Sequence, residues 1–191
     1  MTRPLGTLAL IALASLALDA HGENEQTVVL RGAAVNGAAV AARAKMGLAS
    51  TGGEVVGSNR QTAIITGAVV NGALFGASAE TNVAAVKDGV RGANSQTGVV
   101  RGAVVNGATA GAAAQVNIAS VQGGVRGSNA QSAGVGGVVV NGAALGAVAE
   151  VNIASRRSSV TGGNRQVVSV GGSVVNGAAL GRVSVVNIGS D

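Results

Sequence analysis

Few side chains in this chain can do covalent or acid–base chemistry. The acids are Asp19, Glu23, Glu25, Glu54, Glu80, Asp88, Glu150 and Asp191; the one histidine is His21, and cysteine is absent. Paired carboxylates can exchange protons with a substrate. Glu80 and Glu150 fall at equivalent places in a repeated pattern, but Gln115 lies between them, so solvated strand faces explain them better. Zinc sites draw on clustered Cys, His and carboxylates, and no such cluster exists in the sequence. The glycines of Gly123-Gly124-Val125-Arg126-Gly127 lack the Lys-Ser/Thr that follows in a phosphate-binding loop. No enzyme activity, cofactor or metal is expected.

The polar chemistry that remains is amide hydrogen bonding, and its spacing is strict. Asn24, Asn59, Asn94, Asn129 and Asn164 recur every 35 residues, as do Gln26, Gln61, Gln96, Gln131 and Gln166. Asn36, Asn71, Asn106, Asn141 and Asn176 form a third column, each within Val-Asn-Gly-Ala. Asn82, Asn117, Asn152 and Asn187 form a fourth, with Gly47 in the first copy. Two glycine columns keep the same period: Gly32, Gly67, Gly102, Gly137 and Gly172, and Gly22, Gly57, Gly92, Gly127 and Gly162.

Elements that hold such columns must repeat without slippage. The units are 22–56, 57–91, 92–126, 127–161 and 162–191, with no linker between them. An insertion would shift every later rung of a stack, so an insertion-free period points to coil on coil. Asn94, Asn106, Asn117 and Asn129 divide a unit into three similar arms, with Asn and Gly expected at the corners because they tolerate left-handed backbone. The arms alternate like half-buried strands. Ala114, Val116 and Ile118 point one way and Gln115 the other; Val100 and Arg101 are opposed in the same manner. Dense Gly and β-branched residues disfavour helix. The expected fold is all-β, a β-solenoid of five tandem 35-residue coils about 4.8 Å apart. Identical amides then stack into ladders, each bond worth about 1 kcal/mol. The competing arrangement reads each Asn-Gly as a two-residue hairpin turn and the chain as a meander.

Composition fits a core of small side chains. Hydrophobic residues make up 47%, yet there is one Phe and no Trp or Tyr. Residues 1–22 read as a secretory signal peptide: Arg3, the apolar run Leu5 to Ala17, then small residues around Ala20-His21-Gly22. Its removal takes Arg3 and Asp19, one charge of each sign, and leaves 12 basic against 7 acidic residues at net +5. A secreted chain without cysteine must be held by pairing and packing. The positive charge permits weak, salt-sensitive nucleic-acid binding at most, since aromatic stacking platforms are missing.

Solenoids usually end in atypical capping repeats. Here the first and last units keep the residues of the middle ones, and uncapped strand edges predict head-to-tail stacking of chains without limit. These residues resemble the bacterial functional amyloids. Gln96, Gly102, Asn106 and Ala108 follow the Gln, Gly, Asn-x-Ala order of curli repeats, as do Gln131, Gly137, Asn141 and Ala143. Val116-Asn117-Ile118-Ala119 followed by Asn129 and Gln131 is similar to the Fap fibril subunits, as is Val151-Asn152-Ile153-Ala154 followed by Asn164 and Gln166. The Gln-to-Gly spacing is longer than in curli repeats, and the long Fap linkers are absent. The resemblance implies a secreted amyloid subunit of the biofilm matrix or cell surface of a bacterium. Its implied partners are further copies of itself, a nucleator subunit and an outer-membrane export pore. A monomeric β-solenoid surface adhesin is the alternative; it needs the same coil with a cap or an anchor.

Overall fold

A computed structural model describes residues 23–38, 43–76, 78–110, 113–145, 148–180 and 183–189; the expected signal segment, 1–22, lies outside them. Coil one carries β1 (Asn24–Leu30), β2 (Ala33–Ala38), β3 (Arg43–Leu48) and β4 (Glu54–Val56). Coil two carries β5 (Asn59–Ile65), β6 (Ala68–Ala73), β7 (Ser78–Val83) and β8 (Gly89–Arg91). Coil three carries β9 (Asn94–Val100), β10 (Ala103–Ala108), β11 (Ala113–Ile118) and β12 (Gly124–Arg126). Coil four carries β13 (Asn129–Val135), β14 (Val138–Ala143), β15 (Val148–Ile153) and β16 (Val160–Thr161). Coil five carries β17 (Asn164–Val170), β18 (Ser173–Ala178) and β19 (Ser184–Ile188).

The molecule is a β-solenoid. Its strands form four parallel sheets, β1-β5-β9-β13-β17, β2-β6-β10-β14-β18, β3-β7-β11-β15-β19 and β4-β8-β12-β16. Each residue pairs with the one 35 positions on, as Asn59 with Asn94 and Asn71 with Asn106. The described residues contain no helix. The hairpin alternative is excluded: Val-Asn-Gly-Ala lies inside β2, β6, β10, β14 and β18, and neighbouring strands run parallel.

Two expectations about the coil are corrected. Coils one to four have four strands each, not three arms; the fourth is two or three residues long, too short to show alternation. The asparagines are not corner residues. Asn71 and Asn82 sit within β6 and β7 and are buried. The left-handed corners fall instead on Phe75, Ala110, Leu145 and Leu180 after the second sheet and on Ala49, Ala84, Ala119, Ala154 and Gly189 after the third, with φ between 44° and 56°, and on Gly57, Gly92, Gly127 and Gly162 after the fourth.

The Gly32 column is demanded by proximity. A Cβ on Gly67, Gly102, Gly137 or Gly172 would lie within 2 Å of the carbonyl oxygen of the glycine one coil earlier. Only hydrogen fits there, and that lets Gly102 N–H bond Ile65 O at 3.0 Å while the chain turns from β9 to β10.

Alternation sets the interior, which is divided into three columns of packed side chains. The largest stacks Ile65, Val100 and Val135 against Val83, Ile118 and Ile153. An alanine column joins the second and third sheets through Ala73, Ala108, Ala79 and Ala114. A valine column, Val86, Val90, Val121 and Val125, lies under the short fourth sheet.

Candidate functional site

Amides form the partitions between these columns. Along the second sheet, Asn71 follows Val69, which is in the large core, and precedes Ala73, which is in the alanine column. Its amide meets three oxygens: Asn106 Oδ1 at 2.8 Å, Glu80 O at 3.1 Å and Ala44 O at 3.1 Å. The last two belong to the third sheet, so the column braces the coil across its interior. Asn106 and Asn141 repeat the arrangement in the next coils.

The structure brings all nineteen expected ladder residues into four stacks. Asn24 donates to Asn59, Asn59 to Asn94, Asn94 to Asn129 and Asn129 to Asn164, at 2.7–2.8 Å. Asn36, Asn71, Asn106, Asn141 and Asn176 form the second ladder in the same sense. The other two run the opposite way. Gln166, Gln131, Gln96 and Gln61 each donate toward Gln26. Asn187, Asn152 and Asn117 donate toward Asn82. Gly47 ends that column, and Asn82 donates to Glu80 Oε1 instead. Antiparallel ladder dipoles offset one another along the axis. Among the described residues, the buried side-chain polar atoms without a partner are Ser120 Oγ and Gln122 Nε2, neither in a ladder.

Some supporting residues carry no periodic signal. Thr51 Oγ1 accepts from Gln61 at 2.7 Å, a role taken by the backbone oxygens of Ser120 and Ser155 for Gln96 and Gln131. Thr81 donates to Asn106 Oδ1 at 3.1 Å, where the other coils have Met46, Val116, Val151 or Val186.

Charges sit outside. Arg60–Glu25, Lys87–Glu80, Arg91–Glu54 and Arg157–Glu150 pair along or beside the stack. Burial pushes the Glu80 carboxyl up, but hydrogen bonds from Asn82 and Lys87 outweigh it and hold the group below its ordinary value. Among the described residues there is no group of three His, Asp or Glu able to hold a metal ion.

The remaining polar groups of interest are the strand edges. Coil four and coil five have nearly the same residues, yet Val135 and Ile153 are 1% and 0% exposed while Val170 and Ile188 are 40% and 43%. The difference is that, among the described residues, no strand pairs with the outer side of coil five. At the other edge, β1 and β2 have the same half-open pattern. Compared with known protein families, curated proteins and solved structures, the chain matches none.

Proposed function

We propose that the chain is a structural subunit that assembles end to end into amyloid-like fibrils, secreted to the cell surface or biofilm matrix of a bacterium. The observation that carries the assembly is the likeness of its two edges. Placed over coil five at the same step, coil one of a second copy sets Asn24 on Asn164, Gln26 on Gln166, Asn36 on Asn176 and Leu48 on Ile188. The first three ladders then continue in their own directions, and the fourth is interrupted at each junction, where Gly47 falls on Asn187. Glu25 comes to lie beside Arg165, as it lies beside Arg60 within the chain. Unpaired edges of matching sequence are templates for this kind of growth. The reading as an extracellular fibril rests on the resemblance to functional amyloids and on the character of residues 1–22; export pore and nucleator belong to that same reading.

Gly32 supplies the test. Its counterparts each need the absent Cβ because a carbonyl from the previous coil fills the space, but nothing lies within 4 Å of a Cβ on Gly32. Gly32→Ala is therefore harmless within one chain. At a junction the same methyl meets the carbonyl of Gly172 in the next copy. The variant should fold with wild-type circular dichroism, fail to elongate, and block wild-type seeds when present in small amounts. Wild-type elongation by Gly32→Ala would contradict end-to-end stacking. A wild-type chain that stays a folded, non-seeding monomer would move the reading to a monomeric surface adhesin.

A further inference from the structure

The second sheet has an outer face unlike the others. Its outward residues form three columns without charge: Ala33, Ala68, Ala103, Val138 and Ser173; Val35, Val70, Val105, Val140 and Val175; Gly37, Gly72, Gly107, Gly142 and Gly177. The first sheet by contrast carries Glu25, Arg60 and Arg165 outward, and the third Lys45, Glu80 and Glu150. The valines are a ridge, 37–53% exposed at Val35, Val70, Val105 and Val175. Beside them the glycines line an apolar groove of about 880 Å³ that runs past all five coils. A Cβ on Gly107 would meet only Gly142 O, at 3.9 Å, so the groove has room for an inserted side chain. At the corner beyond it, Phe75, Leu145 and Leu180 are 53–74% exposed.

We infer that this face pairs two filaments side by side, the valine ridge of each seated in the glycine groove of the other. The inference rests on the end-to-end reading. Ridge and groove lie two residues apart on every strand, so a two-fold related copy is complementary to the face itself. The occupant must repeat every ~4.8 Å for the whole length of the groove, and a second stack of these coils does. Area gives the order of events. Five strands at ~4.8 Å and six residues at ~3.3 Å cover about 480 Å² per chain, or roughly 1,000 Å² for the two faces together. Stable complexes need at least about 1,200 Å², so single chains do not pair this way. A filament of ten chains offers ten times the area, and dry pairing of such faces is the steric-zipper arrangement. Lateral pairing therefore follows elongation.

The test is filament mass per unit length by electron microscopy for the chain and three variants. The 18.1 kDa chain becomes about 16 kDa once residues 1–22 are removed, and one such chain per ~24 Å of axis gives about 6.6 kDa/nm for a single stack and about 13 kDa/nm for a pair. Wild-type filaments should have the paired value. Val105→Lys puts one charge per chain on the ridge, about 24 Å from its next copy and beyond the ~8 Å screening length, so it spares the stack. Gly107→Leu fills the groove without charge. Both should halve the mass per length with the elongation rate unchanged within about two-fold. Thr97→Lys, the same charge on the first sheet, should leave the paired value. Single-stack wild-type filaments, or paired filaments from both Val105→Lys and Gly107→Leu, overturn this inference and leave end-to-end assembly standing. No filament from the wild-type chain overturns both.

Discussion

Replacing Asn106 by leucine removes the middle rung of the second ladder while nearly keeping its volume. Asn106 is 1% exposed. It accepts from Asn71 at 2.8 Å and Thr81 at 3.1 Å, and donates to Asn141 at 2.7 Å. After substitution Asn71 keeps the carbonyls of Ala44 and Glu80. The Thr81 hydroxyl and Asn141 Oδ1 lose the partners described for them. Each orphaned buried group costs about 1–3 kcal/mol, and burial of the leucine returns about 1.5–3 kcal/mol. The net expected is about 2 kcal/mol of destabilisation, a factor of about 30 in the folding equilibrium. Asn36→Leu, on the open edge, orphans one buried group, Asn71 Oδ1, against two for Asn106→Leu, and should cost only about 1 kcal/mol. Replacing Asn36, Asn71, Asn106, Asn141 and Asn176 together should cost less than five single losses, since whole columns leave few orphans. The assay is urea unfolding followed by far-ultraviolet circular dichroism at a concentration too low for elongation, read as the shift in midpoint. Equal midpoints for Asn106→Leu and Asn36→Leu would refute the ladder as an internal support.

Two further outcomes follow from the same geometry. Gly102→Ala drives a Cβ to 1.9 Å from Gly67 O, so it should part coils two and three; the expected sign is loss of protease resistance between the two halves, and wild-type resistance would contradict the packing. Because Glu80 is held below its ordinary value, its contribution is present above the unfolded carboxyl range, near pH ~4.3, and is lost as pH falls through the lower folded value. Glu80→Gln should flatten the acid limb of a midpoint-against-pH curve below the unfolded carboxyl range, and an unchanged limb would contradict the assignment.

The period, the strand faces and the parallel stack are all legible in the sequence, because in-register pairing writes the same residue every 35 positions. Val116 and Ile118 inward with Gln115 outward could be read from alternation alone. The corners could not. Asparagine suits a left-handed turn and also an amide ladder, and sequence alone does not rank the two; here a dry interior with a partner above and below outweighs turn preference. Ala84 and Ala119 give no hint of their positive φ, as alanine is common in strands and turns alike. Gly102 was visible as a column but its reason was not, since a close carbonyl is a property of the stack. The short strands β8 and β12 are too brief for period two, and Thr81 acts in a single coil.

The most direct measurement of the central claim is the axial rise per subunit in filaments grown from the purified chain, by helical reconstruction. End-to-end stacking predicts about 24 Å, five steps of ~4.8 Å unbroken across the junction, with Asn36 of one chain above Asn176 of the next. A break in that spacing between chains, or neighbouring chains running in opposite directions, would contradict it.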